Sequence, residues 1–253
     1  MPIADLARCT TRHQIEEAIA KPIAYTLVQP QTKTTQLLTA IVQGRWADAR
    51  SGLTREKRNR DDRAVAAAFC QHHGIELVWQ FRDPVSGFEL AVFRWEGRSY
   101  IVAIGSNDPT DWKHNLTRHS VGLDAYIANK SAVREAIVFA SFYHPAPSGI
   151  IVMGHSLGGS IAQYIAVDYG KINTCKTYQS AAVPPAFVAR STRRPELSAT
   201  HYLHPSDPVY PLSKRRCDGG LILGTVAMHG YQVHGFDRIK AHSLMLSLLP
   251  TTG

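Results

Sequence analysis

A serine between closely spaced glycines is the strongest chemical signal in the chain. The stretch Gly154-His155-Ser156-Leu157-Gly158 has the form G-x-S-x-G, with an apolar run before it and a helical pattern after it. Glycines at these positions let a strand end and a helix start approach closely, so that the serine projects from a sharp turn. The motif predicts Ser156 as a nucleophile and the N–H of Leu157, at the helix start, as an oxyanion donor.

A serine hydroxyl needs a base, usually a histidine held by a carboxylate. Five acids follow the serine in the chain, namely Asp168, Glu196, Asp207, Asp218 and Asp237. We expect Asp168 in the helix after the turn, pointing away from the site, and Glu196 in a basic loop. Asp207 stands in a turn directly after a predicted strand, which is where an orienting acid belongs. We therefore predict Asp207 as the acid.

Three histidines follow that acid, namely His229, His234 and His242. His242 opens the last helical stretch, from which a side chain can reach over the nucleophile turn. We predict His242 as the base, with His234 as the alternative. None of the histidine or cysteine spacings is typical of a metal site, and no cofactor is expected.

The net charge and composition of the chain restrict the classes of partner that it can bind. The chain has 253 residues and a net charge of +8, which favours anionic partners such as a membrane surface. The densest basic stretch, residues 45–63, mixes acids with bases and has no aromatic residue after Trp46, so a nucleic-acid surface is poorly supported. No signal peptide and no membrane-spanning run is visible. We expect a cytoplasmic protein, or one exported by a dedicated secretion system.

The first 74 residues are expected to be mainly helical. Helices are predicted at residues 13–20, ending before Pro22, at 35–47 and at 61–73, where Gly74 follows as a stop. Three strands, at residues 75–81, 88–95 and 99–104, then predict an antiparallel meander.

The second half of the chain alternates between strand and helix patterns. Helices are predicted at residues 122–142, 157–169 and 242–249, and strands at 150–154, 175–179, 199–203 and 221–228. This alternation predicts an α/β fold whose largely parallel central sheet has helices on both faces. We expect one domain over residues 1–253, in which an N-terminal helical segment, 1–74, packs on a core of residues 75–249.

These motifs together resemble the class 3, fungal-type lipases of the α/β-hydrolase superfamily. Residues 154–159 match that family's GHSLGG turn, and residues 103–116 are similar to its oxyanion block. The resemblance implies that Ser106 is the second oxyanion donor and that Asp111 and Trp112 support its loop. Residues 206–212 and 242–244 are similar to the family's acid and histidine blocks.

Two departures from the family pattern bear on the substrate. Ile104 stands where an Arg is common, and only a few residues separate Leu116 from Gly122, where family lipases carry a helical lid. The resemblance implies a lipase or phospholipase that forms an acyl-enzyme. The net positive charge favours transient contact with an anionic membrane surface. A phospholipase toxin delivered by a secretion system, with an inhibitor or immunity protein as partner, a short-chain esterase, and an inactive binding protein are the alternatives.

Overall fold

The computed structural model describes residues 3–28, 61–105, 121–142, 149–217, 220–228 and 242. Seven strands of these residues form one sheet. In chain order they are β1 (Glu76–Arg82), β2 (Glu89–Trp95), β3 (Arg98–Ile104), β4 (Ile150–His155), β5 (Thr174–Tyr178), β6 (Ser198–Leu203) and β7 (Thr225–Met228). They are neighbours in the sheet in that same order.

The sheet changes from antiparallel to parallel at β3. The strands β1, β2 and β3 pair antiparallel, whereas β3 to β7 pair parallel. In the turn between β1 and β2, the side chain of Asp83 accepts a hydrogen bond from the N–H of Val85 at 3.0 Å. Gly87 in the same turn has a φ of 68°, which favours glycine. The predicted meander and the largely parallel sheet are both confirmed.

Helices surround the sheet in the described part of the chain. They are α1 (Arg12–Ala18), α2 (Ala24–Val28), α3 (61–73), α4 (Leu123–Ala128), α5 (Lys130–Phe142), α6 (Leu157–Asp168), α7 (Pro185–Ser191) and α8 (Val209–Arg216). Helix α3 ends as predicted, with Gly74 at a φ of 65°. The N–H of Ile75 then bonds to the carbonyl of Cys70 at 2.8 Å, which closes the helix end.

Two groups of helices cover opposite faces of the sheet. Crossovers between parallel strands are right-handed, so strands that follow one another in order place their crossover helices on one face. Helices α4 to α7 do pack there, for example through Val133 and Ile165 against Val152. The other face, which includes Met153, is covered by the N-terminal segment through Ile19 and Ile23. A shared core of this kind is what a single domain requires. The extent of that domain, residues 1–253, stays a prediction.

The helix predicted at residues 13–20 does not end before Pro22. Helix α1 passes into a π-helical turn, Ile19–Ile23, and continues as α2. Proline has no N–H, and its ring crowds the carbonyl four residues earlier in an ordinary helix. Here the N–H of Ala24 bonds to the carbonyl of Ile19, five residues back. This wider turn accommodates Pro22 without ending the helix.

The single long helix predicted at residues 122–142 is also wrong, because Asn129 divides it into α4 and α5. Asn129 has φ −110° and ψ 25°, outside the helical region. Its side-chain amide donates to the carbonyl of Ala125 at 2.9 Å and to Asp83 Oδ2 at 3.2 Å. An asparagine side chain that bonds locally competes with the helical backbone pattern.

The last strand is shorter than predicted. The prediction was residues 221–228, but β7 begins at Thr225, and Leu221 forms an isolated bridge with Val183. Gly224, at a φ of 62°, separates the two pairings. Helices α7 and α8 were not predicted, because they are short and lack a long apolar pattern.

Some expectations lie outside the described residues. These are the helix at 35–47, the short segment between Leu116 and Val121 where family lipases carry a lid, and the final helix at 242–249 apart from His242. Among the helices that the structure describes, none is both long and apolar enough to cross a membrane.

Candidate active site

Ser156 occupies a strained turn between β4 and α6. Its φ of 58° and ψ of −127° are unusual for a residue with a side chain. The N–H of Ser156 donates to the carbonyl of Tyr178 at 3.1 Å, and its own carbonyl accepts from Gly159 at 2.9 Å and from Ala181 at 3.2 Å. Hydrogen bonds to β5 and to the loop after it therefore hold the turn in place.

The two flanking glycines make this turn sterically feasible. A Cβ on Gly154 would overlap the carbonyl of Gly158, and a Cβ on Gly158 would overlap the carbonyl of Ala103 in β3. The end of β4, the start of α6 and the end of β3 are thus in direct contact. This is the close approach that the motif predicts.

Asp207 and His242 lie together. His242 Nδ1 is 3.0 Å from Asp207 Oδ1 and 2.9 Å from Oδ2. The carboxylate is almost fully buried, with 1% of its side chain exposed, and Oδ1 also accepts from the N–H of Val209 at 2.8 Å. A carboxylate held by a backbone donor in this way can fix the orientation of an imidazole.

The three candidate residues lie at or near the same edge of the sheet. Ser156 follows β4 and Asp207 lies in the loop after β6, and the carboxyl ends of parallel strands share an edge. The ring of His242 lies 4.6 Å, centroid to centroid, from the ring of His155, which immediately precedes Ser156. The structure therefore brings the acid and base candidates into contact and places the base candidate beside the residue that precedes Ser156.

Two of the other acids, Asp168 and Glu196, have partners elsewhere. Asp168 lies at the end of α6, where it accepts from the Tyr126 hydroxyl at 2.7 Å and pairs with Arg190. Glu196 pairs with Arg194 at the surface. His234 lies outside the described residues.

The predicted oxyanion residues are described only in part. Leu157 is the first residue of α6, so its N–H lies at a helix N-terminus. Ser106, Asp111 and Trp112 lie outside the described residues. Gly105, which precedes Ser106 in the chain, is buried and described.

His155 and Tyr25 are site residues that the sequence analysis missed. His155 Nε2 lies 2.9 Å from the backbone carbonyl of His242, and its Nδ1 lies 3.3 Å from the Tyr25 hydroxyl. Burial lowers the pKa of His155 well below its usual value, and the charges of His242 and Lys21 lower it further. Its place in the motif was visible in the sequence, whereas nothing marked Tyr25 in the unassigned N-terminal segment.

A buried ion pair beneath the site was also missed. Lys21 Nζ donates to Glu17 Oε1 at 2.7 Å, and both side chains are 0% exposed. Lys21 also donates to the side chain of Gln179, in the loop after β5. Burial lowers the pKa of Lys21, while Glu17 and then Asp207 oppose that shift. The four-residue spacing of Glu17 and Lys21 was the one available signal.

Comparisons with solved structures support the same fold. The structure is similar to lipase II from Rhizopus niveus, with a TM-score of 0.56 and 17% identity, over 87% of this chain and 82% of that one. It is also similar to a deletion mutant of Rhizomucor miehei lipase in its propeptide complex, with a TM-score of 0.58 and 18% identity, over 88% of this chain and 69% of that one. The chain therefore shares the fold of these lipases.

Sequence comparisons then identify the family. The family model described as phospholipase-like, a Tle-like phospholipase domain, matches residues 39–235, and the chain belongs to that family. An extracellular phospholipase A1 from Serratia liquefaciens is 28% identical over 101 residues, which are 40% of this chain. That match spans only 30% of the Serratia protein.

Proposed function

We propose that the chain is a lipid ester hydrolase that works through Ser156, Asp207 and His242. The observation that carries the proposal is the buried Asp207 carboxylate, 2.9 Å from His242 Nδ1 at the edge of the sheet where Ser156 forms its strained turn. A serine, a histidine and a buried acid in this chain order are typical of α/β-hydrolases.

In the proposed reaction, the Ser156 oxygen attacks the ester carbonyl carbon while His242 Nε2 takes the serine proton. Asp207 accepts a hydrogen bond from the Nδ1–H of His242 and stabilises the imidazolium. The tetrahedral intermediate then breaks its bond to the alcohol, which leaves with the proton from His242. Water attacks the acyl-enzyme in the same way and releases the fatty acid.

The oxyanion of both intermediates is stabilised by the N–H of Leu157 and, as a second donor, by Ser106. Each such donor contributes about 3 kcal/mol to the lowering of the barrier. Asp111 and Trp112 support the Ser106 loop in this proposal, as the resemblance to class 3 lipases implies.

We further propose that the substrate is a glycerophospholipid at an anionic membrane surface. The family description and the Serratia phospholipase A1 support this substrate class. The net charge of +8 supports transient docking, since each basic residue near such a surface contributes about 1 kcal/mol.

The experiment measures fatty-acid release from anionic vesicles that contain phosphatidylglycerol and from neutral vesicles of phosphatidylcholine. Hydrolysis of p-nitrophenyl esters, from acetate to palmitate, is measured in parallel. We expect release from the vesicles, and a loss of at least about 10⁴-fold in Ser156→Ala. The matched control is Ser191→Ala, whose hydroxyl bonds to the carbonyl of Val188 at the end of α7. This control should retain wild-type activity.

Three outcomes would contradict parts of the proposal. Turnover of short esters alone would replace the phospholipid substrate with a small soluble one. Equal activity on neutral and anionic vesicles would remove the role assigned to charge. An active Ser156→Ala variant would exclude the serine mechanism.

A further inference from the structure

The N-terminal segment contacts the candidate active site through the side chain of Tyr25. This residue lies in α2, 130 positions before His155, and is 6% exposed. Its hydroxyl lies 3.3 Å from His155 Nδ1 and is hydrogen-bonded to the backbone of Gly105 at the end of β3. A Cβ on Gly105 would overlap this hydroxyl, so the contact requires glycine there.

The direction of each hydrogen bond follows from its partners. The backbone carbonyl of His242 can only accept, so His155 Nε2, at 2.9 Å, must carry the hydrogen. A neutral imidazole then has an unprotonated Nδ1, which accepts from the Tyr25 hydroxyl. The oxygen of Tyr25 in turn accepts from the N–H of Gly105. The hydrogen bonds therefore form a chain in which each group donates to the next, from the N–H of Gly105 to the carbonyl of His242.

We propose that Tyr25 and His155 are positioning residues that fix the backbone of His242 relative to the end of β3. The inference rests on the proposed function, in which His242 is the base. Neither residue touches the reacting atoms. The ring of His242 is held by Asp207, and its backbone is held by His155. Together these contacts fix both ends of the residue.

This arrangement also has an electrostatic consequence. The His155 ring lies 4.6 Å from the His242 ring, so a positive charge on His155 would oppose formation of the His242 imidazolium. Donation from Tyr25 occupies the one nitrogen at which a second proton would bind. The N-terminal segment thus keeps the neighbour of the base neutral.

The first test is Tyr25→Phe, which removes the hydroxyl and keeps the ring. We expect kcat on a soluble p-nitrophenyl ester to fall about 10-fold to 100-fold, the range for a base displaced by up to about 1 Å. KM should change less than about twofold, since no contact with substrate is lost. A purely structural role would instead reduce the amount of folded enzyme and leave kcat per active site unchanged.

The matched control is Tyr126→Phe, which removes another buried tyrosine hydroxyl, one that donates to Asp168 Oδ2 at 2.7 Å. Active sites are counted by fluorophosphonate labelling. A Tyr25→Phe variant with the kcat of the Tyr126→Phe control would overturn the proposal.

A second measurement needs neither substitution nor turnover. In ¹⁵N-histidine NMR of the wild-type protein, His155 should be neutral near pH 7, with its hydrogen on Nε2. A hydrogen on Nδ1, or a charged ring, would overturn the proposed series of bonds. If the wild type hydrolyses no ester, the proposed function fails, while the NMR result still decides the hydrogen-bond arrangement.

Discussion

His242 is the residue on which the candidate chemistry depends, and two separate contacts define its position. Its Nδ1 faces the buried carboxylate of Asp207, and its carbonyl faces Nε2 of His155. The carboxylate is itself fixed by the N–H of Val209 at the start of α8. A base held at both ring and backbone has little freedom to leave the reacting geometry.

The role of the acid can be tested with one isosteric change. Asp207→Asn removes the charge and presents an amide to Nδ1, which favours the wrong tautomer of His242. We expect kcat for ester hydrolysis to fall about 10⁴-fold with KM nearly unchanged. Asp168→Asn, which changes an acid in the Arg190 ion pair, should keep kcat within about twofold. If both variants behaved alike, Asp207 would not be the orienting acid.

At this scale the sequence predicted the residues whose order along the chain is diagnostic. Ser156, Asp207 and His242 follow one another as the proposed mechanism requires, and the structure places Asp207 in contact with His242 and His155 beside it. The contact of Tyr25 with His155 and that of Lys21 with Gln179 were not predictable, because the partners lie 130 and 158 residues away. A pattern of local spacing carries no information about such contacts.

Among the elements, the turn from β4 to α6 shows how tightly the backbone is constrained. Gly158 sits against the carbonyl of Ala103, so helix α6 starts in contact with β3. This contact sets the position of the Leu157 N–H relative to the end of β3. Glycine is required here by space rather than by a positive φ.

A methyl group at this contact should therefore be costly. We expect Gly158→Ala to lower the free energy of unfolding by about 2 kcal/mol, since the strand or the helix must shift. Gly170→Ala is the control, because nothing lies within 4 Å of a Cβ there. Its stability should change by less than about 0.5 kcal/mol. Urea denaturation of both variants measures the difference, and equal midpoints would contradict the steric argument.

Element prediction succeeded where periodicity alone decides the structure and failed where single side chains do. Strands β1 to β6 and helices α3 and α6 agree with their patterns within one or two residues, whereas β7 begins four residues later than predicted. Pro22 and Asn129 were misinterpreted, for opposite reasons. The proline is tolerated through a π turn, whereas the asparagine ends a helix through a side-chain bond to Ala125.

For the molecule as a whole, strand order explains why the N-terminal helices are needed. With crossovers on one face, the other face of the sheet would expose residues such as Phe93, Val102 and Met153. Burial of such side chains contributes about 2 kcal/mol each. The N-terminal segment is therefore part of the core as well as a neighbour of the site.

The stability of the whole fold should fall in mild acid. Burial lowers the pKa of His201 to about 4 from its usual 6.5, so the unfolded chain binds this proton more readily than the folded one. The stability is present above pH 6.5 and is lost as pH falls toward 4. Between pH 7 and pH 5 we expect a loss of about 2 kcal/mol from this residue. Urea denaturation at the two pH values measures it.

A matched pair of variants isolates the His201 contribution. His201→Gln should flatten the pH dependence, whereas the same change at exposed His72 should leave it as in the wild type. An unchanged slope in His201→Gln would show that His201 is not the group responsible. His155, whose pKa is also lowered by burial, contributes in the same direction.

The agreement between strand order and chain order has a consequence for synthesis on the ribosome. Each strand pairs with the one made immediately before it, so the sheet can grow at one edge as the chain emerges. The N-terminal helices emerge first, yet Lys21 finds its partner Gln179 only 158 residues later. We expect this segment to complete its docking, which brings Tyr25 to the site, only after β5 has been made. Because the proposed base His242 is made later still, we expect no hydrolytic activity until nearly the whole chain has emerged.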